Sequence, residues 1–140
     1  MGASLLLLAF LAAAPPDLDS IRREPKFEKR ADLAIDFGER LAGQLAKMYE
    51  TAEWSEVQKR LEEIAQAAEL SLAALRDSGK NARKSPKHFK RSELKSRAIL
   101  RRLESFHTQV SFDDRSPVEA AMARVRKVQE ALLHEIMGVK

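Results

Sequence analysis

The stretch FEKRADLAIDFGERLAGQLAKMYETAEWSEVQKRLEEIAQAAELSLAAL, residues 27–75, decides the fold class because its apolar residues recur at helical spacing. In its first half, apolar residues follow one helix face in steps of three and four: Phe27, Ala31, Ala34, Ile35, Leu41, Ala42, Leu45, Met48, Tyr49 and Ala52. A second series has the same spacing: Val57, Leu61, Ile64, Ala65, Ala68, Leu72 and Leu75. Because the apolar face jumps between Thr51 and Ser55, the stretch predicts two amphipathic helices joined by a reversal, with Ser55 as the new helix cap.

Two more helices are predicted downstream. The second helix is expected to end at Ser78-Gly79, and the third to begin at Ser85-Pro86, a cap residue followed by a helix-starting proline. The capping box Ser116-Pro117-Val118-Glu119 predicts the start of the fourth, which runs toward Gly138. No segment alternates with a period of two. We therefore predict an all-α, up-down-up-down four-helix bundle over residues 27–138.

The N-terminal segment indicates export. Residues 4–14 read SLLLLAFLAAA, an apolar run that is too short to span a bilayer, which takes about 20 residues. Its apolar core and closing alanines are typical of a secretory signal, which predicts a signal peptide over residues 1–14 cleaved near Ala13 or Ala14. Residues 15–26 are then an N-terminal extension with a short helix from Asp17 to Arg23. A buried N-terminal helix and an uncleaved anchor are the alternatives; the preferred location is periplasmic or secreted, with no transmembrane span in the mature chain.

Several functional classes are disfavoured by what the 140 residues contain. The chain has no cysteine, which excludes a disulfide framework, thiolate metal sites and a cysteine nucleophile. It also has no zinc-protease motif, di-iron helix motif, P-loop or glycine-rich nucleotide loop. We expect no enzyme, no catalytic residues, no cofactor and no metal. A candidate metal arrangement at one end of the bundle comprises His88, His134 and either Glu24 or Glu28.

Positive charge is concentrated in one segment. The chain has a net charge of +4, but residues 80–102 hold ten basic residues and one acidic residue, a net of +9 that leaves −5 for the remainder. The ten residues form the predicted anion-binding stripe on the third helix and the loop before it: Lys80, Arg83, Lys84, Lys87, Lys90, Arg91, Lys95, Arg97, Arg101 and Arg102. Leu94 is an exposed apolar residue within it.

Three interpretations of the stripe stay open. It binds an anionic surface or polymer, such as membrane headgroups or acidic polysaccharide, with nucleic acid disfavoured because no exposed aromatic residues accompany it. Alternatively it binds an acidic protein. In the third interpretation it is a solvated face balanced by carboxylates of the second helix: Glu56, Glu62, Glu63 and Glu69.

A group of large apolar residues is expected at one end of the bundle. In an up-down bundle, the end of the first helix meets the starts of the second and fourth there. The predicted apolar cap comprises Met48, Tyr49, Trp54, Phe106, Phe112 and Met122. It is either a pocket for an apolar partner or an aromatic plug that closes the core.

Within residues 41–71, Tyr49 lies late in the first predicted helix, and Trp54 lies early in the second. In this arrangement the segment resembles a single tetratricopeptide-type helical hairpin. The usual Gly-Asp turn and closing proline are missing, and no second copy follows at the repeat length. The resemblance implies a protein-interaction module. The sequence as a whole favours an exported, non-enzymatic helical bundle that is a binding or structural component of the cell envelope.

Overall fold

A computed structural model describes residues 16–138, and these residues are all-helical. Five α-helices follow one another, with one 3-10 turn, Phe112–Asp114, before the last: α1 Leu18–Arg22, α2 Phe27–Thr51, α3 Trp54–Asp77, α4 Lys87–Gln109 and α5 Arg115–Met137. The prediction of an all-α fold is confirmed. The predicted signal peptide, residues 1–14, lies outside the described residues.

The observed helix ends match the predicted ends at Gly79 and Gly138, but the observed helix starts do not match the predicted serine caps. Gly79 and Gly138 both adopt a left-handed backbone, with φ of 69° and 68°. Gly138 directly follows α5, and Gly79 follows the C-cap residue of α3, Ser78. By contrast, Trp54 already opens α3, so Ser55 lies inside the helix and the prediction of a Ser55 cap is wrong.

The two predicted proline starts are each shifted. Pro86 itself occupies the N-cap position of α4 instead of Ser85, and its carbonyl accepts the Lys90 N–H at 2.8 Å. At the last helix, the 3-10 turn leads directly into α5, which therefore begins at Arg115. Ser116 lies in the first turn instead of at the cap, and the predicted capping box is wrong.

The four long helices do not all pack on their neighbours in sequence. α2 packs on α3 and α4, and α5 packs on α3 and α4, so that α3 and α4 lie across a diagonal. These two approach each other at small polar residues, where the hydroxyl oxygens of Ser71 and Ser92 are 2.7 Å apart. α3 and α4 are consecutive in the sequence but are therefore not packed side by side.

The ion pairs between helices show how the two hairpins are stacked. Along α2 and α4 the partners rise together in number, from Asp32 with His88 to Glu39 with Lys95. Along α3 and α5 they also rise together, from Glu69 with Arg124 to Arg76 with Glu135. α2 and α4 therefore lie side by side in the same direction, and so do α3 and α5.

The core runs along the centre of this stack and includes the segment before α2. Leu18 and Ile21 of α1 are buried in the same apolar cluster as the long helices. At Gly38, where α2, α3 and α4 converge, an added Cβ would lie 3.2 Å from Cδ1 of Ile99 and 3.3 Å from Cβ of Ala67. The closest approach of these three helices thus depends on a residue without a side chain.

Candidate functional site

The structure divides the predicted basic stripe into paired and unpaired residues. Four side chains contact a carboxylate: Lys80, Arg91, Lys95 and Arg97. Six are exposed and form no ion pair with any residue in the range 16–138: Arg83, Lys84, Lys87, Lys90, Arg101 and Arg102. The unpaired residues fall in two places, which we call the basic end cluster (Arg83, Lys84, Lys87 and Lys90) and the arginine pair (Arg101 and Arg102).

Two of the paired residues, Arg91 and Lys95, belong to a charge interface between α2 and α4. Asp36 is its centre, because its Oδ1 lies 2.9 Å from Nη2 of Arg91 and 2.9 Å from Nζ of Lys95. Lys95 also lies 3.1 Å from Oε1 of Glu39. A row of α2 carboxylates thus neutralises the side of α4 that faces it.

At the end of this interface where α2 and α4 begin, His88 lies between two carboxylates. Its Nε2 is 2.8 Å from Oε2 of Glu28, and its Nδ1 is 2.9 Å from Oδ2 of Asp32. Glu28 also contacts Lys80 of the preceding loop. The loop between α3 and α4 is thereby tied to the start of α2.

Two pKa shifts follow from these contacts. Hydrogen bonding to Lys80 lowers the pKa of Glu28 below its ordinary value of 4.5, so its stabilising contribution is present above that pH and is lost as the pH falls through the lowered value. Hydrogen bonding to Asp36 raises the pKa of Lys95 above 10.5, so this ammonium contributes at all pH values below 10.5 and loses its effect only at higher pH. Both contributions are fully present near neutral pH.

The acids expected to balance the stripe are elsewhere. Glu62 and Glu69 of α3 contact Arg124 of α5, at 2.6 and 2.5 Å, and Glu63 contacts Arg60 on its own helix. Hydrogen bonding to Arg124 lowers the pKa of Glu62, and hydrogen bonding to Glu69 raises that of Arg124. The expectation that α3 neutralises α4 is wrong because these helices lie diagonally. The signal for the correct partner was the row of α2 acids at positions 28, 32, 36 and 39.

The single acid of the basic segment is not a surface residue. Glu93 is 3% exposed and accepts hydrogen bonds from Nε of Arg97 at 2.6 Å and from Nε2 of Gln129 at 2.9 Å. Leu94 is 59% exposed, as expected. The burial of Glu93 was not predictable from the sequence. Glu93 is charged and lies next to the exposed Leu94, so no pattern indicated that its side chain points toward the core.

The arginine pair borders a groove between α2 and α4. The groove has a volume of about 440 Å³, and its uncharged apolar lining residues are Ala42, Gly43, Ala46, Ala98 and Phe106. Glu39 lies at one end of it, and its other polar lining residues are Arg101, Arg102, Ser105 and Gln109. Gln109 donates to the carbonyl oxygen of Ala46 at 3.3 Å.

Three of the six predicted cap residues meet as an aromatic cluster. The ring of Tyr49 packs edge-on against Trp54 and Phe106, with centroids 5.8 and 5.7 Å apart. The Tyr49 hydroxyl donates to Oδ2 of Asp114 at 3.0 Å and accepts the N–H of Ser111 at 3.1 Å. This cluster secures the turn before α5.

The other three predicted cap residues differ from one another. Met48 and Met122 are half-buried and pack against the core. Phe112 is 81% exposed and lies near the Arg115 guanidinium, outside the cluster. The arrangement around Tyr49 fits a plug that closes the core, with Phe112 standing apart on the surface.

Neither a metal-binding group nor a membrane-spanning helix occurs in the described part of the chain. No three His, Asp or Glu side chains of residues 16–138 are placed to hold a metal ion. His88 has Glu28 and Asp32 as neighbours, whereas His134 is exposed on α5. No helix in this range is both long and apolar enough to cross a membrane.

No protein-family model, curated protein or solved structure matches this chain. A functional interpretation therefore depends on the charges, contacts and cavities of the molecule itself.

Proposed function

We propose that this protein is an exported, non-enzymatic helical bundle that binds an anionic surface or polymer through the basic end cluster and the arginine pair. The observation that carries the proposal is the set of six exposed basic residues without ion-pair partners in residues 16–138. On the same helix, the charges of Arg91 and Lys95 are neutralised by α2 carboxylates. The unpaired positive charge is therefore confined to the basic end cluster and the arginine pair. Unpaired Lys and Arg side chains attract polyanions with little geometric demand.

The basic end cluster is the larger of the two places. It joins the loop after α3 to the first turn of α4, so its four side chains come from one compact corner of the fold. Arg101 lies about 21 Å from Lys87 along α4, given a rise of about 1.5 Å per residue. A polymer or a headgroup layer can contact both places at once, whereas a small anion can contact only one.

Export is the second component of the proposal. It rests on the apolar run of residues 4–14 and its closing alanines, followed by Pro15 and Pro16. We expect N-terminal sequencing of the protein from its native host to begin at Ala14 or Pro15. A soluble cytoplasmic protein that begins at Met1 would refute export.

Binding should depend strongly on salt and on the basic end cluster. We expect the protein to be retained on immobilised heparin and on vesicles containing phosphatidylglycerol at low ionic strength, with affinity falling as salt rises. The triple substitution Lys84→Gln, Lys87→Gln and Lys90→Gln should reduce the slope of log affinity against log salt by about 3, roughly one per charge removed. Retention volumes and vesicle sedimentation across a salt series measure this.

A triple variant of equal charge serves as the control. Lys47, Lys59 and Lys127 are exposed on α2, α3 and α5. Their replacement by glutamine removes the same net charge and should change the slope much less. Equal losses in both triple variants, or no retention of the wild-type protein at low salt, would rule out a localised binding surface.

A helical-hairpin interaction module is the second candidate. The observation in its favour is the stacking of two hairpins with like-directed helices side by side, the arrangement by which helical repeats extend into arrays. Both candidates include the proposed up-down-up-down course of the four long helices. A protein partner held through apolar contacts would bind with little salt dependence, which separates it from the polyanion.

A further inference from the structure

The acidic row of α2 stops where the arginine pair of α4 begins. Up to Glu39, the carboxylates of α2 contact the basic side chains that face them. The next α2 residues lining the interface are Ala42, Gly43 and Ala46, which carry neither charge nor bulk. Up to Glu39 the α2–α4 interface is therefore closely packed and its charges are paired. About one helical turn further along, it is an open groove with unpaired positive charge.

Gly43 places the groove directly beside a guanidinium group. A Cβ added at this position would lie 3.5 Å from Nη1 and 3.6 Å from Cζ of Arg102. The backbone at Gly43 is helical and does not require glycine, since positive φ angles among the described glycines occur only at Gly79 and Gly138. Glycine in the middle of a helix costs about 1 kcal/mol relative to alanine. Gly43 thus keeps the α2 backbone next to the Arg102 guanidinium at a point where the backbone conformation does not require glycine.

The polar groups around this space suit a tetrahedral anion. Arg101 and Arg102 supply planar donors that bind phosphate oxygens in pairs, and Ser105 adds a hydroxyl on the same helix. Glu39 is the one acid lining the groove, and its Oε1 lies 3.1 Å from Nζ of Lys95. That ammonium offsets the Glu39 charge, so the arginine end of the groove remains positive.

We propose that Arg101, Arg102 and Ser105 form a binding site for a phosphate group in the groove beside Gly43. The site deepens the proposed surface binding, on which it rests, by naming the chemical group that is held. Free inorganic phosphate and the phosphodiester of a lipid headgroup present the same oxygens, and either can supply the group. The open groove admits it without displacing a protein carboxylate.

The direct test is a titration of the protein with inorganic phosphate, monitored by ¹H–¹⁵N NMR. A parallel titration with chloride at the same ionic strength is the reference. Saturable shifts are expected at Gly43, Arg102 and Ser105. The double variant Arg101→Gln, Arg102→Gln should weaken binding at least about tenfold, because it removes charge-assisted hydrogen bonds. The matched double variant Lys59→Gln, Lys127→Gln, which removes two exposed charges on α3 and α5, should leave the affinity within about twofold.

Substitutions at position 43 test the groove itself. Gly43→Glu should place a carboxylate beside Arg102 and extend the α2 acidic row, which is expected to abolish phosphate binding. Gly43→Ala, which adds one methyl group at ordinary contact distance, should retain it. Thermal unfolding followed by circular dichroism is expected to show a folded protein in both variants, because Gly43 is exposed.

Binding to vesicles of phosphatidylglycerol and phosphatidylcholine distinguishes the two sources of the phosphate group, a lipid headgroup and free phosphate. Weaker vesicle binding by the arginine double variant assigns the site to a lipid headgroup, and unchanged vesicle binding assigns it to free phosphate. Shifts that never saturate, shifts centred on Lys84 to Lys90, or unchanged phosphate binding in the double variant would overturn the site. If the wild-type protein binds no vesicles or heparin, the proposed surface function fails, whereas the phosphate titration still decides the site.

Discussion

Replacing Gly38 with valine is expected to lower the free energy of unfolding by about 1–3 kcal/mol. The new side chain would enter the point where α2, α3 and α4 converge, and its Cβ alone would lie 3.2 Å from Cδ1 of Ile99 and 3.3 Å from Cβ of Ala67. Ile99 and Ala67 are both fully buried, so neither can move into solvent. The helices must separate locally, and urea denaturation followed by circular dichroism measures the cost.

Gly43 is the matched control because it lies on the same helix but is exposed. Gly43→Ala should raise the free energy of unfolding by about 0.5–1 kcal/mol, since the gain in helix propensity meets no clash. Adding Ile99→Val to the Gly38 variant removes Cδ1 and should recover part of the loss. Stabilisation by Gly38→Val, or no recovery in the double variant, would contradict the close packing described.

Charge reversal at the centre of the α2–α4 interface is expected to be similarly disruptive. Asp36→Lys removes the acceptor shared by Arg91 and Lys95 and places a third cation between them. Breaking a fully buried pair costs about 3–5 kcal/mol, and these side chains are partly exposed, so we expect a loss of about 2 kcal/mol. Denaturation at low and high salt measures the loss, which should shrink as salt screens the repulsion.

Asp19→Lys is the control for this prediction. Asp19 also pairs with an arginine, Arg22, but it is exposed at one end of the fold. Its reversal should change the free energy of unfolding by less than about 0.5 kcal/mol. Equal effects at the two positions would show that α2 and α4 are not held together by the Asp36 contacts.

The helices themselves were predictable because periodicity records which face of each segment is apolar. The series from Phe27 and from Val57 define α2 and α3, and the jump between Thr51 and Ser55 contains the observed reversal at Ala52 and Glu53. Periodicity does not record which neighbour covers that face. The diagonal placement of α3 and α4 depends on close contacts at Gly38 and at Ser71 with Ser92, which no local pattern reveals.

The sequence predicts the candidate site as one continuous basic stripe. It does not predict the division into the basic end cluster and the arginine pair. Helical projection groups the basic residues of α4 on one side of the helix, since it depends only on spacing. It could not distinguish Arg91, held by Asp36, from Arg102, which lies over Gly43. That distinction requires the parallel register of α2 and α4. Helix starts were also misjudged, because the turn at Phe112–Asp114 moves the start of α5 to Arg115.

The stacking of the hairpins also places the C-terminal end of α5 beside the basic end cluster. A Cβ added at Gly138 would lie 2.5 Å from Cδ of Arg83, so that the end of α5 and the α3–α4 loop are in direct contact. An affinity tag fused at this end, particularly one rich in histidine or acidic residues, would alter the charge of the surface it is used to study. A single cysteine in place of the exposed Phe112, in a chain with no other cysteine, would instead carry a label or a surface attachment at the opposite end.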